Sequence, residues 1–499
     1  APPPHAPSTD ASDARRDPRW DLNTGARNYA VVVTGYVTAA ASGLLLAVLA
    51  TRILGPAGYG LFMALVGVSQ FANAAGAAWS APALGALGGA EFVRTGRFAN
   101  AFWARTALLG ACITAVVATA PLWLPAMLGF LHLPESLGPW ILTYFAALSI
   151  WAHLQQSLLA AKRVTLQSGL IVIERMVAIV VVLAAVLTSH VTVAVVVAAY
   201  TAGALGASAI ALVRVWSLVM PLAARAEVMS VPLLRFSAPL LPSTIVSTFS
   251  SNHLDTFFIA HYLTAAAVGI YGVAFQILGV IAYFPMLTGT VIQQYLVSVD
   301  VGTDRFVGVS FDRFIQLFTF VCGLGAIAVA VAGALLIPLV FGVTFTGASA
   351  VLWPLMAVSA LTVPLLAAWI PAALVRHRTG IVSANAVTAA IVNLVLDWLL
   401  VRRFGIIACA WGTFAACAAG MIVTVAMLRR EMPIDGMGIA AVVMPPFVAA
   451  VANGAGLGLT GSVVAGLIAA LAVILIRRRE LAGGVAVGRD LLSRWRIQG

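Results

Sequence analysis

The chain has 499 residues, 62% of them hydrophobic and 9% charged, with a formal net charge of +11 and a mean hydropathy of +1.03. An ordinary soluble domain carries roughly 25% charged residues, so this composition excludes a water-soluble enzyme and indicates an integral membrane protein. The basic excess first suggests nucleic acid, but its placement between apolar segments decides for membrane topology.

Residues 1–27, "APPPHAPSTDASDARRDPRWDLNTGAR", are polar and proline-rich with no apolar stretch. They read as a disordered cytoplasmic tail, neither signal peptide nor anchor. From Asn28 to Ile476 apolar segments recur, each reaching the roughly 20 residues that a bilayer-spanning helix requires. About fourteen spans are predicted, starting near residues 28, 59, 98, 138, 166, 191, 234, 267, 312, 348, 380, 404, 437 and 459. Backbone groups in hydrocarbon must bond internally, so the expected class is an all-α membrane protein and not a barrel.

An even count places both termini on one side of the membrane. Loops on that side collect Arg94, Arg97, Lys162, Arg163, Arg214, Arg235, Arg376, Arg378, Arg429 and Arg430, besides the basic tail 477–499. The opposite side receives Arg52, Arg402 and Arg403. That asymmetry marks the termini as cytoplasmic, and anionic lipid headgroups account for the charge without nucleic acid. Cys112, Cys322, Cys409 and Cys417 all fall in apolar segments, as buried small hydrophobes do, rather than in a disulfide framework.

Two internal matches indicate a repeat. "LGPAGYGLF" from Leu54 pairs with "LTAAAVGIY" from Leu263 at an offset of 209, aligning Gly60 with Gly269. "LAAKR" from Leu159 pairs with "LVRHR" from Leu374 at an offset of 215. The expected organisation is therefore a six-helix half at 28–216, a cytoplasmic linker at 217–233 and a second half at 234–430. Two further helices follow at 431–476, then the tail. Six is even, so the halves share an orientation and relate by an axis along the membrane normal.

The segments "LATRILGPAGYGLFMALVGVSQF", "LLRFSAPLLPSTIVSTFSSNHLDTFFIAHYLTAAAVGIYGVAFQI" and "LVRRFGIIACAWGTF" resemble the polysaccharide or O-antigen flippases of the multidrug/oligosaccharidyl-lipid/polysaccharide exporter superfamily. The resemblance covers about residues 28 to 430. It implies a MATE-like pair of halves in a bacterial inner membrane and an undecaprenyl-pyrophosphate-linked glycan as cargo. It also implies membrane lipids, a glycan polymerase or glycosyltransferases as partners. Cation-coupled exporters of the superfamily carry, by resemblance, an acid in the first span, and the lipid II flippases place arginines there. Neither occurs in "NYAVVVTGYVTAAASGLLLAVLA". The energy source stays open between proton and sodium coupling, and no cofactor is expected.

Polar residues inside spans are costly, so each is a candidate for function. In the seventh span Ser243, Ser247, Ser251 and Asp255 form one row at a spacing of four, beside Thr244, Thr248, Asn252 and Thr256. With Asn252, His253 and Asp255 included, the stripe suits the lining of a polar cavity, although hydroxyls alone also serve as helix-to-helix contacts. Asn385, Ala389, Asn393 and Asp397 repeat the spacing in the eleventh span, where Asp397 suits either function or an ion pair with Arg402 and Arg403.

Arg105 offers a fork of donors for phosphate or reaches the headgroups by snorkelling. His153 suits a helix contact or a proton relay. Glu174 and Arg175 diverge by about 100° on a helix, so at least one addresses the interior. Gln70 and Gln276 are candidate partners for sugar hydroxyls. No GxxxxGK[ST] loop, HExxH or CxxC pair occurs, and neither catalytic nor metal-binding residues are assigned.

The expected function is a flippase for lipid-linked oligosaccharides that works by rocking two halves about a polar cavity. The alternatives are a cation-coupled small-molecule or multidrug exporter and, with short loops against it, a membrane glycan polymerase.

Overall fold

The computed structural model describes residues 22–498 except 189–190, 221–225, 249–253, 299–304, 377 and 431. Among the described residues every regular element is helical. The first half contains α1 (Leu22–Gly76), α2 (Ala81–Ala83), α3 (Gly89–Thr95), α4 (Ala99–Phe130), α5 (Gly138–Ala160), α6 (Val164–Leu187) and α7 (Val193–Val219). Then come α8 (Ala226–Ser237), α9 (Leu240–Thr248), α10 (Leu254–Tyr262), α11 (Ala265–Ser298), α12 (Arg305–Val340), α13 (Ala348–Pro364), α14 (Ile370–Val375), α15 (Thr379–Phe404) and α16 (Ile406–Leu428). The chain closes with α17 (Gly436–Gly454), α18 (Gly458–Ile476) and α19 (Arg478–Gln498).

Twelve described segments are long and apolar enough to cross a membrane. Glu227–Ser237 and Leu240–Val246, bent by 56°, supply a thirteenth. The remaining crossing is hidden in α1. Its apolar part, Val33–Gly76, has 44 residues, or about 66 Å of helix, roughly twice the ~30 Å hydrocarbon thickness of a bilayer. Gly55 divides it with φ 64° and ψ −179°, a left-handed conformation that side chains disfavour. Pro56 then opens the second piece, where its missing N–H costs nothing. So divided, the described residues supply the fourteen spans expected.

The repeat is visible in the backbone. α4, α5, α6 and α7 begin at residues 99, 138, 164 and 193, and α12, α13, α15 and α16 begin at 305, 348, 379 and 406, giving offsets from 206 to 215. Arg163 and Arg378, at the aligned word ends, share one conformation, φ −93° and ψ 51°. Each also donates its backbone N–H across the turn at 2.8 Å, to Leu158 O and Ala373 O.

The halves meet where α1 crosses α11. A Cβ on Gly60 would lie 1.7 Å from Ala265 O, and one on Gly269 would lie 2.1 Å from Pro56 O. The two glycines aligned by sequence therefore pack backbone against backbone, each creating the room that the other occupies.

The same end of the bundle, remote from the termini, carries a reciprocal pair of caps. Arg52 donates through Nε to Val340 O at 2.8 Å and through Nη2 to Leu339 O, closing the C-terminus of α12 in the other half. His261 Nδ1 lies 2.9 Å from Phe130 O at the C-terminus of α4, with its ring stacked on Phe130 at 4.0 Å. The offset of 209 converts Arg52 into His261 and Phe130 into Leu339, so the two caps are one interaction made twice. The last carbonyls of a helix lack intrahelical donors and attract positive charge, which is why basic side chains end up there.

Core packing differs at the two ends. At the remote end one apolar cluster runs through both halves and includes Tyr59, Leu65, Tyr144, Phe257, Tyr271, Phe345 and Trp353. At the termini end Phe98, Trp151, Leu158 and Val215 form one cluster, while Ile292, Phe311, Trp369 and Leu428 form another. α17 and α18 pack on α12 and α13 and on each other. Arg477, at the end of α18, pairs with Asp435 before α17, and Gly484 of α19 rests on Arg313 and Leu317 of α12.

Gly60→Ala or Gly269→Ala should destabilise the protein by about 1–3 kcal/mol through overpacking, read as a lower melting temperature in detergent. Gly110→Ala, where a Cβ meets nothing within 4 Å, should not.

Candidate functional site

Four elements enclose a polar cluster in the second half. Asp255 on α10 is 1% exposed and Asp397 on α15 is 0% exposed. Asn393 Nδ2 donates to Asp255 Oδ1 at 2.6 Å. On the other oxygen, Asp255 Oδ2, Thr413 Oγ1 from α16 converges at 2.8 Å with the Tyr271 hydroxyl from α11. The Asp397 carboxyl comes within hydrogen-bonding reach of Asp255 and of Cys409, yet neither of its oxygens receives a well-formed hydrogen bond, and Asn393 Oδ1 likewise has none.

The spacing of four in α15 explains the convergence. Asn385, Asn393 and Asp397 all face α16: Asn385 Nδ2 donates to Thr424 Oγ1 at 3.0 Å, and Gly412 leaves room for both Asn393 and Asp397. Small residues at Gly412, Ala416 and Gly420 let the two helices approach. The row is thus at once a packing face and the wall of the carboxylate cluster.

Two carboxylates drawn together out of water repel each other unless something positive lies between them. Three oxygens of the cluster, both of Asp397 and Oδ1 of Asn393, are left without a donor, and oxygen-only donor sets suit hard cations. The cluster can hold a monovalent cation or share a proton.

In the first half, Arg105 on α4 is wholly buried. Its Nε donates to Ser80 O at 3.2 Å, Nη1 bonds to His153 Nδ1 and Nη2 has no partner. Arginine cannot accept, so His153 Nδ1 must, which leaves the imidazole neutral with its proton on Nε2. That proton points to Thr106 Oγ1 at 3.1 Å, and Thr106 passes its own to Phe102 O at 2.8 Å. Arg105 is therefore not a side chain snorkelling to headgroups.

α5 also presents Trp151, whose Nε1 donates to Glu174 Oε2 at 2.8 Å. Arg175 turns the other way, its guanidinium 5.5 Å from the Tyr200 ring centre, with Tyr144 and, from the second half, Tyr283 close enough to act on its charge. Both members of the Glu174–Arg175 pair thus address protein.

The structure does not bring the predicted residues into one site. Arg105, His153 and Glu174 are enclosed by first-half helices, and Asp255, Asn393 and Asp397 by second-half helices. Gln70 on α1 and Gln276 on α11 are half-buried, and Gln276 Nε2 lies 3.9 Å from where a Gly43 Cβ would stand, so it faces the other half. Ser251, Asn252 and His253 lie outside the described residues, as does the side chain of Ser247. Ser247 and Asp255 stand on either side of residues 249–253, so the continuity of the row expected along one helix lies outside the described residues. Arg402 lies over the Tyr262 ring at 5.6 Å.

Comparison with solved structures gives the fold. Over 90% of this chain and 98% of the other, it superposes on the lipid II flippase MurJ in an inward closed conformation, with a TM-score of 0.68 and 10% identity. The eukaryotic MATE transporter AtDTX14 follows with a TM-score of 0.53 and 13% identity, over 84% of this chain and 98% of that one. The fold is that of these transporters. No protein-family model matches the chain, and no curated protein matches it by sequence.

Four contributors were missed from sequence. Tyr271 and Thr413 escaped because a lone tyrosine or threonine in an apolar helix carries no pattern. Arg52 and His261 did carry one: extending the repeat two residues upstream of Leu54 and Leu263 aligns them.

His153→Phe should cost about 1–3 kcal/mol by leaving Arg105 with one fewer acceptor. Adding Arg105→Met should recover part of that loss, measured as a double-mutant cycle of thermal stability in detergent.

Proposed function

We propose that the chain is an alternating-access flippase. It moves a polyprenyl-pyrophosphate-linked oligosaccharide, undecaprenyl-linked in bacteria, from the cytoplasmic to the outer leaflet of the inner membrane. The observation that carries this reading is the contrast in packing: one extended core shared by both halves at the remote end, and at the termini end two distinct cores bridged by a small cluster in which Leu233 of α8 meets Ala83 and Ala104. Halves that share an extended core at one end and a small one at the other can rock about the more firmly joined end. The basic loops support cytoplasmic termini, so the headgroup would enter from the cytoplasm between the two termini-side cores.

Arg175, with its guanidinium over Tyr200 and near Tyr283 of the opposite half, and Gln276 facing Gly43 are the polar groups best placed to meet a pyrophosphate and its sugars. Asp255 and Asp397 would take sodium or a proton as the coupling ion. A hydrocarbon tail needs a place outside the polar path. Such a place is a crevice of about 370 Å³ between α11, α12 and α13, lined by Val280, Ile281, Phe284, Val321, Gly325 and Val363. Phe284 and Val321 are largely exposed at its edge. A fold shared with a lipid II flippase over 90% of the chain agrees with a lipid-linked cargo. The buried carboxylate cluster alone would equally suit a cation-coupled exporter of small molecules, the second reading.

Deletion should cause single lipid-linked repeat units to accumulate on the cytoplasmic face. Arg175→Ala should lower glycan export by about tenfold, the rate equivalent of ~1.4 kcal/mol, while membrane abundance is maintained. Accumulation on the outer face would indicate a polymerase instead. Normal surface glycan combined with drug sensitivity would favour the exporter.

A further inference from the structure

The hairpin formed by α10 and the start of α11 has two working faces. On one face Asp255 and Tyr271 meet, and α15 and α16 complete the cluster with Asn393, Asp397 and Thr413. On the other face the same hairpin makes the contact between the halves. His261 caps Phe130 O, Gly269 packs on the backbone of Pro56, and Gly272 packs on Met63 and Tyr59, at 3.2 and 3.5 Å from its would-be Cβ.

The turn between the two helices is stiff. Leu263 N donates to Ile259 O at 2.9 Å, Val268 N to Thr264 O at 3.2 Å and Ala267 N to Thr264 Oγ1 at 3.2 Å. Tyr271 is wholly buried and sits between Gly269 and Gly272, the two glycines that touch the first half. Of the donors to Asp255, Tyr271 is the one whose helix forms the crossing with α1.

We propose that Tyr271 is a positioning residue that couples occupancy of the Asp255/Asp397 site to the contact between the halves at the remote end. The inference rests on the reading of that pair as a coupling-ion site. With no cation bound, a proton carried by Asp397 leaves Asp255 ionised, so the Tyr271 hydroxyl donates to a charged acceptor, and hydrogen bonds to charged groups are the strong ones. It then holds α11 in the register that seats Gly269 on Pro56. A cation between Asp255 and Asp397 shares the charge of the accepting oxygen and weakens this bond. α11 is then freer to leave α1, and the remote end opens.

The test follows a cysteine placed at Met63, on α1 opposite Gly272, in full-length chain in which Cys112, Cys322 and Cys417 are replaced by alanine and the wholly buried Cys409, beside Asp397, is kept. Its labelling by a membrane-impermeant maleimide is followed as sodium chloride replaces choline chloride at constant ionic strength. Sodium binding is followed separately as a rise in melting temperature. In the otherwise wild-type chain sodium should raise the labelling rate about tenfold, the size expected when a hydrogen bond to a charged group is lost. Tyr271→Phe, which keeps the ring and removes only the hydroxyl, should label fast without sodium and respond no further. Asp255→Asn, which removes the charge from the acceptor, should behave likewise and serves if the first variant does not fold.

Thr413→Val removes a donor to the same oxygen from α16, outside the hairpin. It should still respond, at higher sodium. A sodium response in Tyr271→Phe equal to that of the wild type overturns the coupling and leaves the ion site standing. So does constant labelling in a wild type whose melting temperature sodium raises. If sodium neither stabilises the wild type nor changes its labelling, the sodium site and the coupling fall together.

Discussion

The crossing of Gly60 and Gly269 is the constraint on which the rest of the architecture depends. With a Cβ at either position the backbones of α1 and α11 could not approach, and the two halves would lose their common core. Because they do approach, Tyr59 and Tyr271 are buried on either side of the seam, and the C-termini of α4 and α12 come within reach of His261 and Arg52.

Charge is handled differently. Several costly groups are satisfied within one half, Arg105 with His153 and Ser80 O, Glu174 with Trp151, and Asp255 with Asn393, Thr413 and Tyr271. Relative motion of the halves leaves these partners in place, which lowers the electrostatic cost of a conformational change in hydrocarbon, while Arg175 with Tyr283 is a contact that crosses between the halves. The halves are alike in fold and unlike in chemistry: the first encloses an arginine and a neutral imidazole, the second a pair of carboxylates.

Much of this was legible in the sequence, for stated reasons. Span number and spacing follow from hydrophobic length, which the bilayer dictates. The offsets of 209 and 215 found the true repeat because Gly60, Gly269, Arg163 and Arg378 are backbone requirements, and such positions leave a trace in short words. The spacing of four in α15 correctly placed Asn385, Asn393 and Asp397 on one face. The same rule applied to Ser247 and Asp255 spans residues 249–253, which lie outside the described residues. Periodicity could not give the partner of Arg105, because His153 is 48 residues away and faces it only through the packing of α4 on α5.

The two caps at the remote end have a further property. Their donors are side chains, but their acceptors are main-chain carbonyls, at Phe130 on one helix and at Leu339 and Val340 on the other. Any residue at an accepting position supplies the same oxygen, so substitutions there can accumulate without breaking the bond, and the donor can exchange between guanidinium and imidazole, as the two halves already demonstrate. A seal of this kind imposes almost no paired change in sequence. Relatives that have diverged beyond recognition by sequence can therefore share it, and residue covariation would be blind to the contact that closes the bundle.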